Sequence, residues 1–189
     1  MMLNFLKENT TSIHQQVEQD NLAKYILDHS ISKDNYEKLL LQNYQFYKII
    51  EEELILNKHH FAEAFYPFLT CSKSDALGLD LKNFGQKVST LILPDYNFNI
   101  QSSEEAVGAL YVSEGSALGG LLIGKHLKKC PKLNFISRHN FFGNDAPIIL
   151  SKWKNFKQTV EQHSATLDKD KTLSAAIKTF QLFGKIIQS

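Results

Sequence analysis

AVGALYVSEGSALGGLLIG, residues 106–124, is the stretch on which the fold turns. It is long and apolar enough to be read either as a bilayer span or as a buried helix of a soluble protein. Glu114 stands near its middle, with Tyr111 and two serines around it. An acidic residue at the centre of a bilayer costs about 2.5–3.5 kcal/mol, and little strong hydrophobicity is present to offset it. The buried soluble helix is the better reading. Within it, YVSEGSALGGLLIG (111–124) holds four of the nine glycines of the chain. Each glycine inside a helix loses about 0.8–1 kcal/mol relative to alanine. The four together forgo roughly 3–4 kcal/mol, a large part of the stability of a small domain. Something must approach this helix closely enough to require bare backbone.

Outward from this stretch the periodicity is helical nearly throughout. Leu3, Leu6, Thr10, Ile13 and Val17 fall on one face of a first helix, about 3–19, and a short second helix covers about 21–28. Ser32, Asn35 and Glu37 suggest a capped start for a long third helix, about 33–57. Its inner side carries Tyr36, Leu39, Leu40, Asn43, Tyr44, Tyr47 and Ile50, and the EEE run at 51–53 reads as a solvated face. Ser74-Asp75 opens a helix of about 74–92 that ends near Pro94. Ser103 with Glu104 and Glu105 starts the glycine-rich helix, since acidic residues suit a first turn. Helices of about 147–165 and 168–187 complete the chain. No alternating β-branched run and no internal repeat occurs. An all-α fold in a single domain, residues 1–189, is expected.

The composition sets bounds on function. With 189 residues, 43% hydrophobic and 22% charged, the chain is an ordinary globular one. Its net charge of +1 gives no global attraction to nucleic acid or to a membrane surface, so any cationic site is local. Cys71 and Cys130, the two cysteines, are too few for a disulfide framework and fit a reducing cytoplasm. The N-terminal stretch turns amphipathic at once, unlike a signal peptide.

Beside the apolar face of the first helix runs a polar stripe of Lys7, Thr11, His14 and Glu18, spaced to stack in one line. A neutral imidazole is a good iron ligand, and its second nitrogen needs an orienting acceptor, which Glu18 can supply. Lys7 lies about 10 Å along the helix, where it could meet an anionic group. The alternative is an exposed face with a weak His14–Glu18 pair. On the glycine helix, Gly115 and Gly119 lie one turn apart and offer a bare strip. Gly120 beside Gly119 permits bending, since adjacent glycines are a known cause of kinks. The alternative there is close packing against another helix. A planar metal macrocycle with acidic side groups satisfies all of these features: iron to His14, carboxylates to Lys7 and Tyr111, ring face on Gly115 and Gly119.

At this point the sequence resembles the heme oxygenase family, in particular its bacterial biliverdin-producing branch. The matching pieces are LKENTTSIHQQVE (6–18), GALYVSEGSALGG (108–120) and FFGNDAP…W (141–153). The resemblance implies a multi-helix fold with heme between a proximal N-terminal helix and a kinked glycine-rich distal helix. It implies that His14 is the proximal iron ligand, Glu18 its partner, Gly115 and Gly119 the distal contacts, and Gly120 a source of flexibility. Lys7 and Tyr111 match propionate-binding positions, and Lys178 or Lys185 on the last helix is a further candidate. Animal members carry an aspartate after the first distal glycine, where this chain has Ser116, so proton delivery would use Ser116, backbone groups and waters. The implied reaction uses heme as cofactor and substrate, with O2, and yields biliverdin, carbon monoxide and ferrous iron. A histidine ligand, unlike a thiolate, does not push strongly for O–O cleavage. Electrons would come from an external ferredoxin- or flavoprotein-type donor, because no G-x-G-x-x-G fingerprint occurs. A monomer is the default expectation.

Two other classes compete: a different enzyme on a similar helical scaffold, and a heme-binding protein without turnover. A di-iron oxygenase would use Glu-x-x-His, a spacing found after no glutamate here, and a thiaminase-like hydrolase would need a pocket cysteine. A heme carrier or sensor without turnover would use the same binding residues. The remaining histidines, 29, 59, 60, 126, 139 and 163, read as surface or loop residues.

Overall fold

A computed structural model describes every residue except Ile92, Pro94 and Asn144. Among the described residues there are seven α-helices: α1 Met2–Asp20, α2 Lys24–Leu27, α3 Lys33–Leu56, α4 Ser72–Leu81, α5 Ser103–Leu127, α6 Ala146–Gln162 and α7 Lys169–Gln188. Short 3₁₀ turns fill several of the connections. Three of the long helices, α3, α5 and α7, begin where side chains satisfy free amides of the first turn. Ser32 Oγ accepts from Asn35 N at 3.1 Å at the start of α3, and Ser102 Oγ from Glu105 N at 3.2 Å at the start of α5. At α7, Asp168 accepts from the amides of Asp170 and Lys171, both at 3.0 Å.

The expected helix over 74–92 is much shorter. α4 stops at Leu81, and Gly85 follows at φ +76°, a left-handed conformation suited to glycine. A 3₁₀ turn at Lys82–Phe84 directly continues α4, a second covers Val88–Thr90, and the expected end at Pro94 lies outside the described residues.

α7 is the element on which the fold is assembled, because α1 and α5 both pack on it and make few contacts with each other. Leu3, Leu6 and Val17 of α1 are buried, and Val17 reaches Gly184 of α7, where a Cβ would lie 3.8 Å from its methyl. Gly108 of α5 is pressed harder. A Cβ there would stand 2.6 Å from Ala175 Cβ and 2.7 Å from both Ala176 N and Thr172 O. The other core wall is α3, whose Tyr36, Leu39, Leu40, Tyr44, Tyr47 and Ile50 are all buried as their spacing predicts. α5 is long and apolar enough to cross a membrane by length and composition alone. Here its buried side faces α7, and its one central charge, Glu114, is held inside the protein.

Candidate functional site

The polar stripe of α1 stands as its spacing predicts. Lys7, Thr11, His14 and Glu18 are all exposed, on the side away from the buried Leu6 and Val17. His14 Nε2 lies 3.4 Å from Glu18 Oε1, and both side chains are more than half exposed. The imidazole rests beside Phe180 of α7, with ring centroids 5.4 Å apart, so the last helix backs the histidine. Thr10, one step round the helix, is buried. Its hydroxyl donates to Leu6 O at 2.8 Å and stands 3.5 Å from Tyr111 Oη. That contact brings Tyr111 of α5 up to α1, with Trp153 of α6 beside it at 6.3 Å. Of the basic candidates on α7, Lys178 turns to Asn99 O (3.5 Å) and to the Phe98 ring (5.5 Å).

The glycines of α5 divide into two groups. At Gly124 an added Cβ would run into the carbonyl of Phe142, and Gly108 is closed by α7, so these two serve packing within the chain. Gly119 is different, since a Cβ there would meet nothing within 4 Å. At Gly115 it would make ordinary contact with the Trp153 ring at 3.6 Å, and at Gly120 with the Phe142 ring at 3.8 Å. Close packing thus accounts for Gly108 and Gly124, while of the two glycines expected to form a bare strip Gly119 is open and Gly115 has the Trp153 ring beside it. α5 runs as one helix through Gly119 and Gly120.

Ser116 is exposed and has two partners. Its hydroxyl lies 2.6 Å from Tyr47 Oη and 3.0 Å from Ser113 O. Tyr47 is buried, and burial pushes its phenol well above the ordinary range, against the smaller pull of the Ser116 hydrogen bond. Behind Ser116 lies a charged cluster. Glu114 Oε1 takes Lys73 Nζ at 2.6 Å and Lys152 Nζ at 3.2 Å, and the Lys73 ammonium stands 5.7 Å over the Tyr47 ring. Burial, and then the charge of Lys73, hold the Lys152 ammonium below its usual pKa, while Glu114 opposes this.

Several residues depart from their sequence reading. Glu51, taken as part of a solvated face, is buried and accepts from the amides of Lys73 and Ser74, both at 3.1 Å. Burial pushes its carboxyl up. His29 and His126 are half-buried partners, Nε2 to Nδ1 at 3.1 Å, rather than separate surface groups. His139 Nδ1 lies 2.7 Å from the Tyr36 hydroxyl, and burial holds its pKa down. Tyr47, Trp153, Phe142 and Phe180 touch the candidate residues, contacts that spacing alone does not predict. Asn144, within the FFGNDAP match, lies outside the described residues. A cavity of about 340 Å³ is lined by His60, Glu104 and His163, and another of about 650 Å³, lined by Phe68, Ile148 and Lys152, shares Lys152 with the charged cluster.

Solved structures carry the same helical architecture. The heme oxygenase of Leptospira interrogans superposes with a TM-score of 0.74 at 20% identity over 98% of both chains. The NO- and CO-bound heme oxygenase of Neisseria meningitidis gives 0.71 at 23% identity, covering 100% of this chain and 90% of that one. These likenesses establish the fold. The family model for heme oxygenase matches residues 1–189, and the chain belongs to the heme oxygenase family. Among curated relatives, the heme oxygenases of Porphyra purpurea and Pyropia yezoensis are 34% identical over 83 residues, 44% of this chain. That match spans 35% of the length of either relative.

Proposed function

We propose that this protein is a heme oxygenase that cleaves heme at a meso carbon with O2, giving biliverdin, carbon monoxide and ferrous iron, with electrons from an external ferredoxin- or flavoprotein-type donor. The observation that carries this reading is Gly119. On a helix whose Gly108 and Gly124 are closed by neighbouring backbone, it alone keeps all contact beyond 4 Å and leaves a flat strip for a planar ligand. The donor set fits the same ligand. No cluster of three or more His, Cys, Asp or Glu able to hold a metal occurs among the described residues, whereas porphyrin-bound iron needs a single imidazole from the protein. In this reading His14 supplies that imidazole and Glu18 orients it. Lys7 and Tyr111 hold the propionates and so fix the in-plane rotation of the ring. Gly115 and Gly119 lie against the ring face, and Gly120 lets the helix give during loading and release. Ser116 holds a hydroxyl at the oxygen-binding side and keeps it oriented through Tyr47. When bound, the heme itself supplies the oxygen chemistry. The whole chain, 1–189, acts as one domain, as a cytoplasmic monomer with no role for nucleic acid or membrane.

Purified protein mixed with hemin, O2 and a reductant tests this. Decay of the Soret band with growth of a bilin band is the expected result. A Soret band stable under reductant and O2 overturns turnover and leaves a heme carrier.

A further inference from the structure

The helix that carries the bare strip is fixed at both ends of its glycine run, and both fixings trace back to α4. Upstream, Glu114 is only 3% exposed and is gripped by Lys73, in the first turn of α4, and by Lys152 of α6. Lys73 is itself held, because its amide and that of Ser74 donate to the buried Glu51 of α3. Downstream, the Phe142 ring lies against Gly120 and its carbonyl closes Gly124. The loop bearing Phe142 hangs from Asp80, near the other end of α4. The buried Asp80 carboxylate accepts from Asn140 N at 2.6 Å, Asn140 Nδ2 at 2.8 Å and Phe141 N at 2.9 Å. Lys73 and Asp80 are about 10 Å apart along α4, and the anchored ends of α5, from Glu114 to Gly120 and Gly124, are about 9–15 Å apart, so the two spans match.

We propose that α4 splints the glycine helix, and that Glu114 and Asp80 are positioning residues that set the height and tilt of the Gly115–Gly119 strip over heme and hence the meso carbon attacked. This rests on the heme oxygenase reading. The N-terminal half of α5 is held by its packing on α7, but from Gly115 to His126 the helix buries no side chain of its own, so the contacts at the two ends of that segment define its position. Neutralising Glu114 would leave the Lys73 and Lys152 ammonium groups with the Glu51 carboxylate as their one remaining nearby counter-charge and without the contact that joins them, and the two helices that flank α5 would part. Asparagine at position 80 keeps one acceptor oxygen for the three donors from the loop.

The test uses Glu114→Gln and Asp80→Asn in the full chain. Glu52→Gln is the control, removing a carboxylate whose partner is Lys48 on α3, at 2.9 Å. All three variants should bind hemin with the His14-ligated spectrum. Only the first two should shift the C–O stretching band of the ferrous CO complex and change the biliverdin isomer ratio, by about tenfold, which corresponds to about 1.4 kcal/mol between competing transition states. A lowered Tm with an unchanged CO band and isomer ratio would overturn the proposal and leave the anchors as structural contacts only. Should Glu114→Gln fail to fold, Lys152→Met, which keeps the Lys73–Glu114 pair, carries the same two readouts. If the natural chain produces no bilin, the functional reading fails while the CO band still decides the splint.

Discussion

Alanine at two glycines of α5 should move stability in opposite directions. Gly119→Ala adds a methyl where nothing lies within 4 Å and replaces a poor helix former by the best one. The apo protein should gain about 0.8–1 kcal/mol. For a chain of this length that raises Tm by roughly 2–4 °C. Gly124→Ala gains the same propensity, but its methyl would occupy the position of the Phe142 carbonyl, which is backbone and has no rotamer to yield. Overpacking of this kind costs about 1–3 kcal/mol or more, so the net effect is a loss and Tm falls. Hemin binding should reverse the ranking for Gly119→Ala. A methyl on the strip that meets the ring face should weaken affinity by about 1–3 kcal/mol, or roughly 5- to 150-fold in Kd. Calorimetric melts of the apo proteins and hemin titrations followed at the Soret band measure both quantities. The reasoning is refuted if the two variants melt in the same direction, or if Gly119→Ala is stabilised yet binds hemin as tightly as the natural chain.

Other outcomes follow from the same geometry. His14→Ala should abolish the histidine-ligated heme spectrum while His126→Ala leaves it intact; an unchanged Soret band in His14→Ala would exclude the proximal assignment. Ser116→Ala and Tyr47→Phe should each slow turnover, by up to about 100-fold, with hemin affinity kept. Because the two hydroxyls act as one unit, the double variant should be no slower than the worse single one, and additive losses would separate them. His139 is held neutral by burial, so its folded pKa lies below the ordinary 6.5 and the unfolded chain binds more protons in between. Stability should therefore fall as pH drops below 6.5 towards the folded value, and His139→Gln should flatten that slope. Urea midpoints measured about one pH unit above and below 6.5 check it, and equal slopes in both proteins would contradict the assignment.

Much of the fold is legible because α1 announces itself through periodicity, and α3 and α5 through periodicity and polar residues at their starts. Ser32 accepts the amide expected of it, the cap of α5 is Ser102, one residue before the expected Ser103, and Asp168 caps α7 in the same way. The end of α4 is not legible in the same way, since apolar residues continue through Leu91 and only the left-handed Gly85 breaks the pattern. Within EEE, sequence shows three adjacent carboxylates that point about 100° apart. Glu51 alone falls on the face of Tyr47, Ile50 and Leu54, and that spacing was the available sign that it is buried. The polar stripe of α1 can be read because polar and apolar periodicities coexist on one helix. Contacts such as Asp80 with Asn140, or His139 with Tyr36, join residues 60 and 103 positions apart, and no local pattern encodes them.

Ser116, where the chain departs from the animal pattern, gains its meaning from a residue on another helix. A serine hydroxyl alone is a short, rotatable donor with no fixed direction. With Tyr47 at 2.6 Å on one side and Ser113 O at 3.0 Å on the other, it has one geometry in which every group is satisfied: Tyr47 donates to Ser116, and Ser116 donates to Ser113. The proton at the tyrosine end is secure, because burial holds the phenol neutral far above physiological pH. A ligand oxygen arriving over Gly115 and Gly119 could draw the Ser116 proton away from Ser113 O, a neutral acceptor, while Tyr47 continues to donate from behind. An aspartate at this position would bring its own charge beside Glu114 and Glu51, in a region where two lysines already balance two carboxylates. A neutral serine backed by a buried tyrosine supplies an oriented hydroxyl there without disturbing that balance.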